Sequence, residues 1–405
     1  MRAQLVHVQP HRKAETDTGV SLGFALLAYM LGVTLIITLL PFRFQWPDGV
    51  HVQLRGEWID VVANVLLFVP LGFLYCLTVP RERGGGLASA LFVGAVLSSA
   101  IETVQLFEPS RNTAVSDLLA NTCGMGLGAL GFARIARVPR VEGRLIAWLA
   151  LELPLMTLTY LLVPLLWVNT LAAGTEGLRT AATLLIGAFG ATIVGGVQRN
   201  YLGPAGAARP HHTAVFTALW FVAGAFAMLR VQPVALAAGV VALGALCWWL
   251  GARPSPADPN RRFEVPLLRS AALYYVAYLA LIVAAPLLQE AGAWHFQWGF
   301  PRNASDQLEI LRLLELGAAF TLVGYMAAEI RGRTAARYGD SLRRLIAWGG
   351  GLALAVEAVR GFDPGSGASL ARGALLAAAP VYGGWLYYLQ RAHVVQHLTR
   401  PASMR

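Results

Sequence analysis

Charge is scarce in this chain: only 13% of its 405 residues are Asp, Glu, Lys or Arg, against 56% hydrophobic residues. Polar surface of that extent cannot clothe a water-soluble globule of this length, and a mean hydropathy of +0.56 excludes one. Cysteine is also scarce. Cys76, Cys123 and Cys247 lie in apolar windows without CxxC or metal-ligand spacing, so they are expected to be small core residues rather than a metal site or a disulfide framework. Walker, GxSxG and strand-to-helix GxGxxG patterns are missing, which removes the usual signatures of nucleotide hydrolysis, serine hydrolysis and dinucleotide binding. No cofactor or metal is expected. Residues 1–18 are polar, and the apolar run after them is too long for a signal peptide and lacks an A-x-A-like cleavage site. It is expected to stay attached as a first membrane span.

Apolar windows of about 20 residues, enough to cross a bilayer, recur along most of the chain. They fall near 20–41, 60–80, 87–107, 115–136, 145–168, 180–198, 212–230, 233–251, 268–289, 308–330, 345–362 and 370–390. The expected fold is therefore an all-α, polytopic transmembrane bundle of about twelve spans. The net charge of +10 does not point to nucleic acid, because the arginines form short clusters between apolar segments. Segments sharing a side with the N-terminus carry most of them, including Arg81 and Arg83, Arg134, Arg137, Arg140 and Arg144, and Arg331, Arg333, Arg337, Arg343 and Arg344. The positive-inside rule then places both termini on the cytoplasmic side of the membrane.

Internal repeats appear at long range. Phe44-Gln45-Trp46 recurs as Phe296-Gln297-Trp298, and at the same offset of 252 Phe68 and Gly72 match Phe320 and Gly324. AIETVQLFEP at 100–109 aligns with AVEAVRGFDP at 355–364, at an offset of 255. The expected organisation is a four-helix unit at 19–138, a middle four-helix block at 145–251, and a diverged second copy of the first unit at 268–390. An even number of helices separates equivalent positions, so the copies would be parallel. Their chemistry differs: Gln105 is replaced by Arg360, Asp117 by Arg372, Asn64 by Leu316 and Asn121 by Leu376. In the second copy Glu357 and Arg360 are three residues apart, a spacing expected to let the pair neutralise itself on one helix face.

The first unit concentrates its polarity at one end. Ser98, Glu102 and Gln105 at i, i+4 and i+7 form one stripe of a helix that Pro109 ends, and a turn carrying Arg111 follows. Asp117 and Asn121 form a second stripe on the returning helix, where Ser116 or Asp117 is a candidate N-cap. Gly124, Gly128 and Gly131 are expected to allow close helix approach, and Phe68-Val69-Pro70-Leu71-Gly72 to break the helix that begins near Asn64. A carboxylate facing lipid is costly, so Glu102 must face protein, a partner charge or a wet cavity, and Arg111 is the nearest candidate partner. Two readings stay open: a structural brace of Glu102, Arg111 and Asp117, or a site holding a sugar or polar head group.

These motifs resemble the VanZ-like family, bacterial membrane proteins named after a teicoplanin-resistance determinant. The resemblance is carried by Asn64, Phe68, Pro70 and Gly72, then Ser98, Glu102, Gln105 and Phe107, then Arg111, Asp117, Asn121 and Gly124, over roughly residues 20–138. It implies a four-helix membrane unit and a cell-envelope role, in some members low-level glycopeptide resistance, and no established reaction. The implied ligands are membrane lipids and an envelope glycan or glycopeptide. A transporter or lipid flippase is the alternative, suggested by the span number, the repeat and an intramembrane Glu152. An intramembrane acid–base enzyme using Glu102 and Asp117 ranks behind both, since no nucleophile accompanies them. His211-His212 has no further ligand at useful spacing, and Trp46, Trp58, Trp298 and Trp385 read as interfacial anchors.

Overall fold

The computed structural model describes residues 10–46, 52–54, 56–79, 85–110, 113–137, 143–173, 177–204, 206, 208–254, 263–289, 291–300, 307–332 and 338–398. Helix dominates because lipid offers no partner for backbone N–H and C=O groups, and a helix satisfies them within one segment. The first unit comprises α1 (Pro10–Leu39), β1 (Val52–Gln53), α2 (Trp58–Thr78), α3 (Leu87–Gln105), β2 (Thr113–Ala114) and α4 (Val115–Arg137). A middle block follows, with α5 (Gly143–Ala173), α6 (Gly177–Val197), a π-helical turn at 198–202, α7 (Pro210–Gly224), α8 (Met228–Val231) and α9 (Pro233–Ala252). The last unit holds α10 (Glu264–Gln289), β3 (Phe296–Gln297), α11 (Gln307–Gly332), α12 (Tyr338–Arg360), β4 (Ala368–Ser369) and α13 (Leu370–Leu398).

Among the described residues, seven helices are long and apolar enough to cross a membrane, on α1, α2, α3, α6, α9, α10 and α11. The chain is thus a multi-pass helical membrane protein. Of the other windows, α7 has only 15 residues, and α4 and α12 open with polar residues around Asp117 and Asp340. Helix α1 starts ten residues ahead of its apolar window, which begins near residue 20. Helix α2 runs through Pro70 without the expected break, since a proline withdraws one N–H donor from the helix and leaves its neighbours' in place. Cys76 and Cys247 are buried as expected, whereas Cys123 is exposed on the outer face of α4.

Close backbone contact holds each outer unit together. A methyl group added at Gly72 would strike the Met125 carbonyl, and one at Gly128 the Val69 carbonyl, so the backbones of α2 and α4 meet directly at these glycines. Helices α11 and α13 meet in the same way, Gly324 against the Pro380 carbonyl and Gly383 against the Thr321 carbonyl. Gly131, expected to act likewise, faces open space. The middle block docks through polar contacts in an apolar interior. Glu315 of α11, 1% exposed, pairs with Arg179 of α6. The same carboxylate accepts hydrogen bonds from Asn169 of α5 (2.6 Å) and Tyr278 of α10 (3.0 Å). Thr183 donates to Asn169 Oδ1 (2.7 Å) and completes the network. Arg230 of α8 reaches Glu57 and Asp60 at the start of α2, and Tyr382 of α13 donates to the Ala25 carbonyl of α1.

Two outcomes test this packing. Gly128→Leu is expected to cost at least ~1–3 kcal/mol, because its obstacle is backbone, while Gly131→Leu is tolerated; thermal unfolding of the detergent-solubilised chain distinguishes them. Arg179→Leu is expected to lose roughly 3–5 kcal/mol by stranding Glu315, and the Arg179→Leu/Glu315→Leu pair to recover most of it. A double variant no more stable than the single would show that the charge pair is not what binds α6 to α11.

Candidate functional site

Ser98, Glu102 and Gln105 do form one inward stripe on α3, at 0%, 8% and 9% exposure. The strands β1 and β2 lie over its end, paired in parallel with Val52 opposite Thr113 and Gln53 opposite Ala114. This two-residue ladder sets the entry to α4, and its Ala114 N–H donates to Glu102 Oε2 (3.2 Å). Thr113 Oγ1 reaches the Glu102 carbonyl (3.4 Å) from the same strand.

Asp117 is half-buried in the first turn of α4 and is an electrostatic neighbour of Glu102. The Asn64 amide of α2 neighbours its carboxylate, and the Ser116 hydroxyl donates to Oδ1 (3.3 Å). Ser116 was a candidate helix cap; its hydroxyl instead accepts the Gly56 N–H (2.8 Å), tying the loop before α2 to the start of α4. One turn deeper, Asn121 Nδ2 donates to Ser98 Oγ (2.9 Å), and Asn121 Oδ1 is buried without a partner. Gln105 turns towards α1, donating to the Thr38 carbonyl (2.8 Å), which makes it a tie between helices. Asn64, Ser98, Glu102, Asp117 and Asn121 therefore converge. Pro70 and Gly72 of α2 and Gly124 and Gly128 of α4 supply the packing beneath them. Arg111 and the Glu152 side chain lie outside the described residues.

Sequence reasoning passed over Glu108, which is 2% exposed and organises the loop above the site. It accepts the Arg43 N–H (2.6 Å) and the Ser110 hydroxyl (3.0 Å). Its signal was available: an acidic residue just past a helix end, beside Pro109, in a chain with few charges. No local pattern marked Glu315, because its partners Tyr278, Arg179 and Asn169 are 37, 136 and 146 residues away.

The last unit reproduces the frame with other chemistry. Strands β3 and β4 pair in parallel, Phe296 opposite Ala368 and Gln297 opposite Ser369, and the Ser369 N–H donates to Glu357 Oε2 (2.6 Å). Glu357 does not pair with Arg360, its neighbour one turn on. Its partner is Arg372, the residue in the place of Asp117, which grips both carboxylate oxygens (2.8 and 2.9 Å). Arg360 instead stands 3.8 Å from Asp363 and donates to the Ile282 carbonyl (3.4 Å), as Gln105 does to Thr38. The geometric cause is that residues on the facing helix sit across the carboxylate, whereas an i+3 side chain on the same helix points along the axis towards the loop. The Phe44-Gln45-Trp46 match is also displaced: the ladder position of Phe296-Gln297 is filled in the first unit by Val52-Gln53. Gln45 has the role of Gly292, each donating its N–H to a carbonyl past the third helix of its unit, Phe107 and Phe362.

Among known protein families, the VanZ/LLP1 model matches residues 12–137. No curated protein and no solved structure matches the chain. The matched segment spans α1 to α4 and holds every residue of the convergent polar cluster. Over that segment the chain is similar to the VanZ/LLP1 family, and the whole is a multi-pass helical membrane protein.

Proposed function

We propose that this is a cell-envelope protein of VanZ type whose first unit binds a polar ligand at Glu102 and Asp117, with Asn64, Ser98 and Asn121 beside them. One observation carries the reading. In the last unit the carboxylate on the third helix is closed by Arg372, and in the first unit the corresponding position holds a second carboxylate, Asp117. Among the described residues no basic side chain is bonded to Glu102 or Asp117. The frame does not require that arrangement, since the last unit builds the same frame with an ion pair. Two carboxylates with the free acceptor of Asn121 suit a donor-rich ligand. Sugar hydroxyls of a lipid-linked saccharide, an amine-bearing lipid head group and the sugar and amine groups of a glycopeptide all have that character.

The reading takes α1–α7 and α9–α13 as twelve crossings of the bacterial cytoplasmic membrane, with both termini cytoplasmic and the site on the outer side. The arginine clusters and the seven long apolar helices support it. It also takes the last unit as a diverged copy of the first, supported by the matching contacts of Gly72 with Gly324 and of Glu102 with Glu357. A symmetric carrier would repeat its binding chemistry in both copies, and Asp117 against Arg372 does the opposite; binding is therefore favoured over transport.

Two measurements check the proposal. The purified full-length chain is expected to retain a lipid-linked disaccharide in native mass spectrometry, and Glu102→Ala or Asp117→Ala to weaken it roughly tenfold, the loss of about one charge-assisted hydrogen bond. Undiminished binding by both folded variants would end the idea. For topology, in a background without the native cysteines, Ser110→Cys is expected to react with a membrane-impermeant maleimide in intact cells, and Ser403→Cys only after lysis.

A further inference from the structure

At the β3–β4 end of the last unit, α11, α12 and α13 line a small, partly open cavity. Three arginines line it, Arg312, Arg360 and Arg372, together with Glu309 and apolar side chains of α11. The positions matching these arginines in the first unit, at the offsets of 252 and 255, hold Asp60, Gln105 and Asp117. The shared helical frame therefore does not call for cations here.

The three guanidinium groups are unequally committed. Arg372 is held by both oxygens of Glu357, by Ser366 Oγ (3.2 Å) and by the Gly367 carbonyl (2.6 Å). Arg360, 2% exposed, makes one long hydrogen bond, to Ile282, and its Nε is buried without a partner. Its charge neighbour Asp363 spends its oxygens on the Ser366 hydroxyl (2.8 Å) and the Gly365 N–H (3.0 Å). Arg312 stands 3.5 Å from Glu309 on its own helix, and its Nε is likewise buried and unpaired. Buried guanidinium donors without acceptors are costly, and here they approach one cavity from two helices.

We propose that this cavity is a binding site for a phosphate-type oxyanion, with Arg312 and Arg360 as ligands and Arg372 as a positioning residue locked by Glu357. A tetrahedral oxyanion accepts hydrogen bonds from two forks at different angles, whereas a carboxylate is satisfied by one. Glu309, Glu357 and Asp363 already balance the three arginines, which selects a species of low charge, a phosphodiester or phosphate monoanion. Either the head group of an anionic phospholipid or free inorganic phosphate meets that description. The site stands independently of the one at Glu102.

The test is thermal unfolding of the full-length chain in detergent, titrated with sodium phosphate, with phosphatidylglycerol, and with an uncharged diacylglycerol glucoside. The expected result is saturable stabilisation by a phosphorus-containing ligand and none by the glucoside. Stabilisation by phosphate alone identifies a free-oxyanion site, and stabilisation by phosphatidylglycerol without phosphate a head-group site. Arg312→Gln and Arg360→Gln each weaken the effect roughly tenfold, the loss of about one charge-assisted hydrogen bond, whereas Arg230→Gln leaves it unchanged. Arg312 is 22% exposed at its side chain, so its variant carries the test even if the Arg360 variant does not fold. No stabilisation of the wild type, or equal stabilisation of the Arg312 and Arg230 variants, overturns the proposal.

Discussion

A carboxylate without access to water has to be met by fixed donors, and Glu315 shows how this bundle meets that requirement. Arg179, Asn169 and Tyr278 approach it from α6, α5 and α10, so four helices are registered against one another by one side chain. Apolar side chains pack against lipid tails nearly as well as against each other, and greasiness alone gives two helices little reason to choose a particular partner. Directed contacts supply the choice: the buried charge network for the middle block, and backbone touching backbone at Gly72, Gly128, Gly324 and Gly383 for the outer units.

On that scaffold the outer units hold one geometry and opposite electrostatics. Each places a glutamate of its third helix beneath a two-residue parallel ladder, with one oxygen accepting the strand N–H. The difference lies one helix away. Asp117 sets a second negative group beside Glu102, and Arg372 neutralises Glu357 while two further arginines gather next to it. A backbone that tolerates both is indifferent to the sign of the charge.

Much of this was legible in the order of residues. The apolar windows anticipated the helices, because burying twenty consecutive apolar residues in a bilayer leaves the backbone no alternative to a helix. The spacing of Ser98 and Glu102, and of Asp117 and Asn121, put each pair on one helix face, and the hairpin turns the two faces towards one another, as the Asn121–Ser98 hydrogen bond shows. The pairing of Glu357 was misread because proximity along the chain favoured Arg360, while the helix that returns after the loop brought Arg372 across the carboxylate. The Phe-Gln-Trp recurrence misled for a related reason: strand pairing is set by where the loops meet, and there Val52-Gln53 is the counterpart of Phe296-Gln297.

By itself the sequence determined that this chain is a helical membrane protein, that its first four helices are VanZ-like, and that their polarity collects at one end. The first and last follow from composition and short-range spacing, which a helix converts directly into faces, and the second is a resemblance of motifs over residues 12–137. Only the tertiary structure decided which charges neutralise each other, that Gln105 is a tie to α1, and that Arg312 and Arg360 share a cavity. Ion pairs and cavities depend on distances between helices far apart in the chain, and no local periodicity encodes those distances.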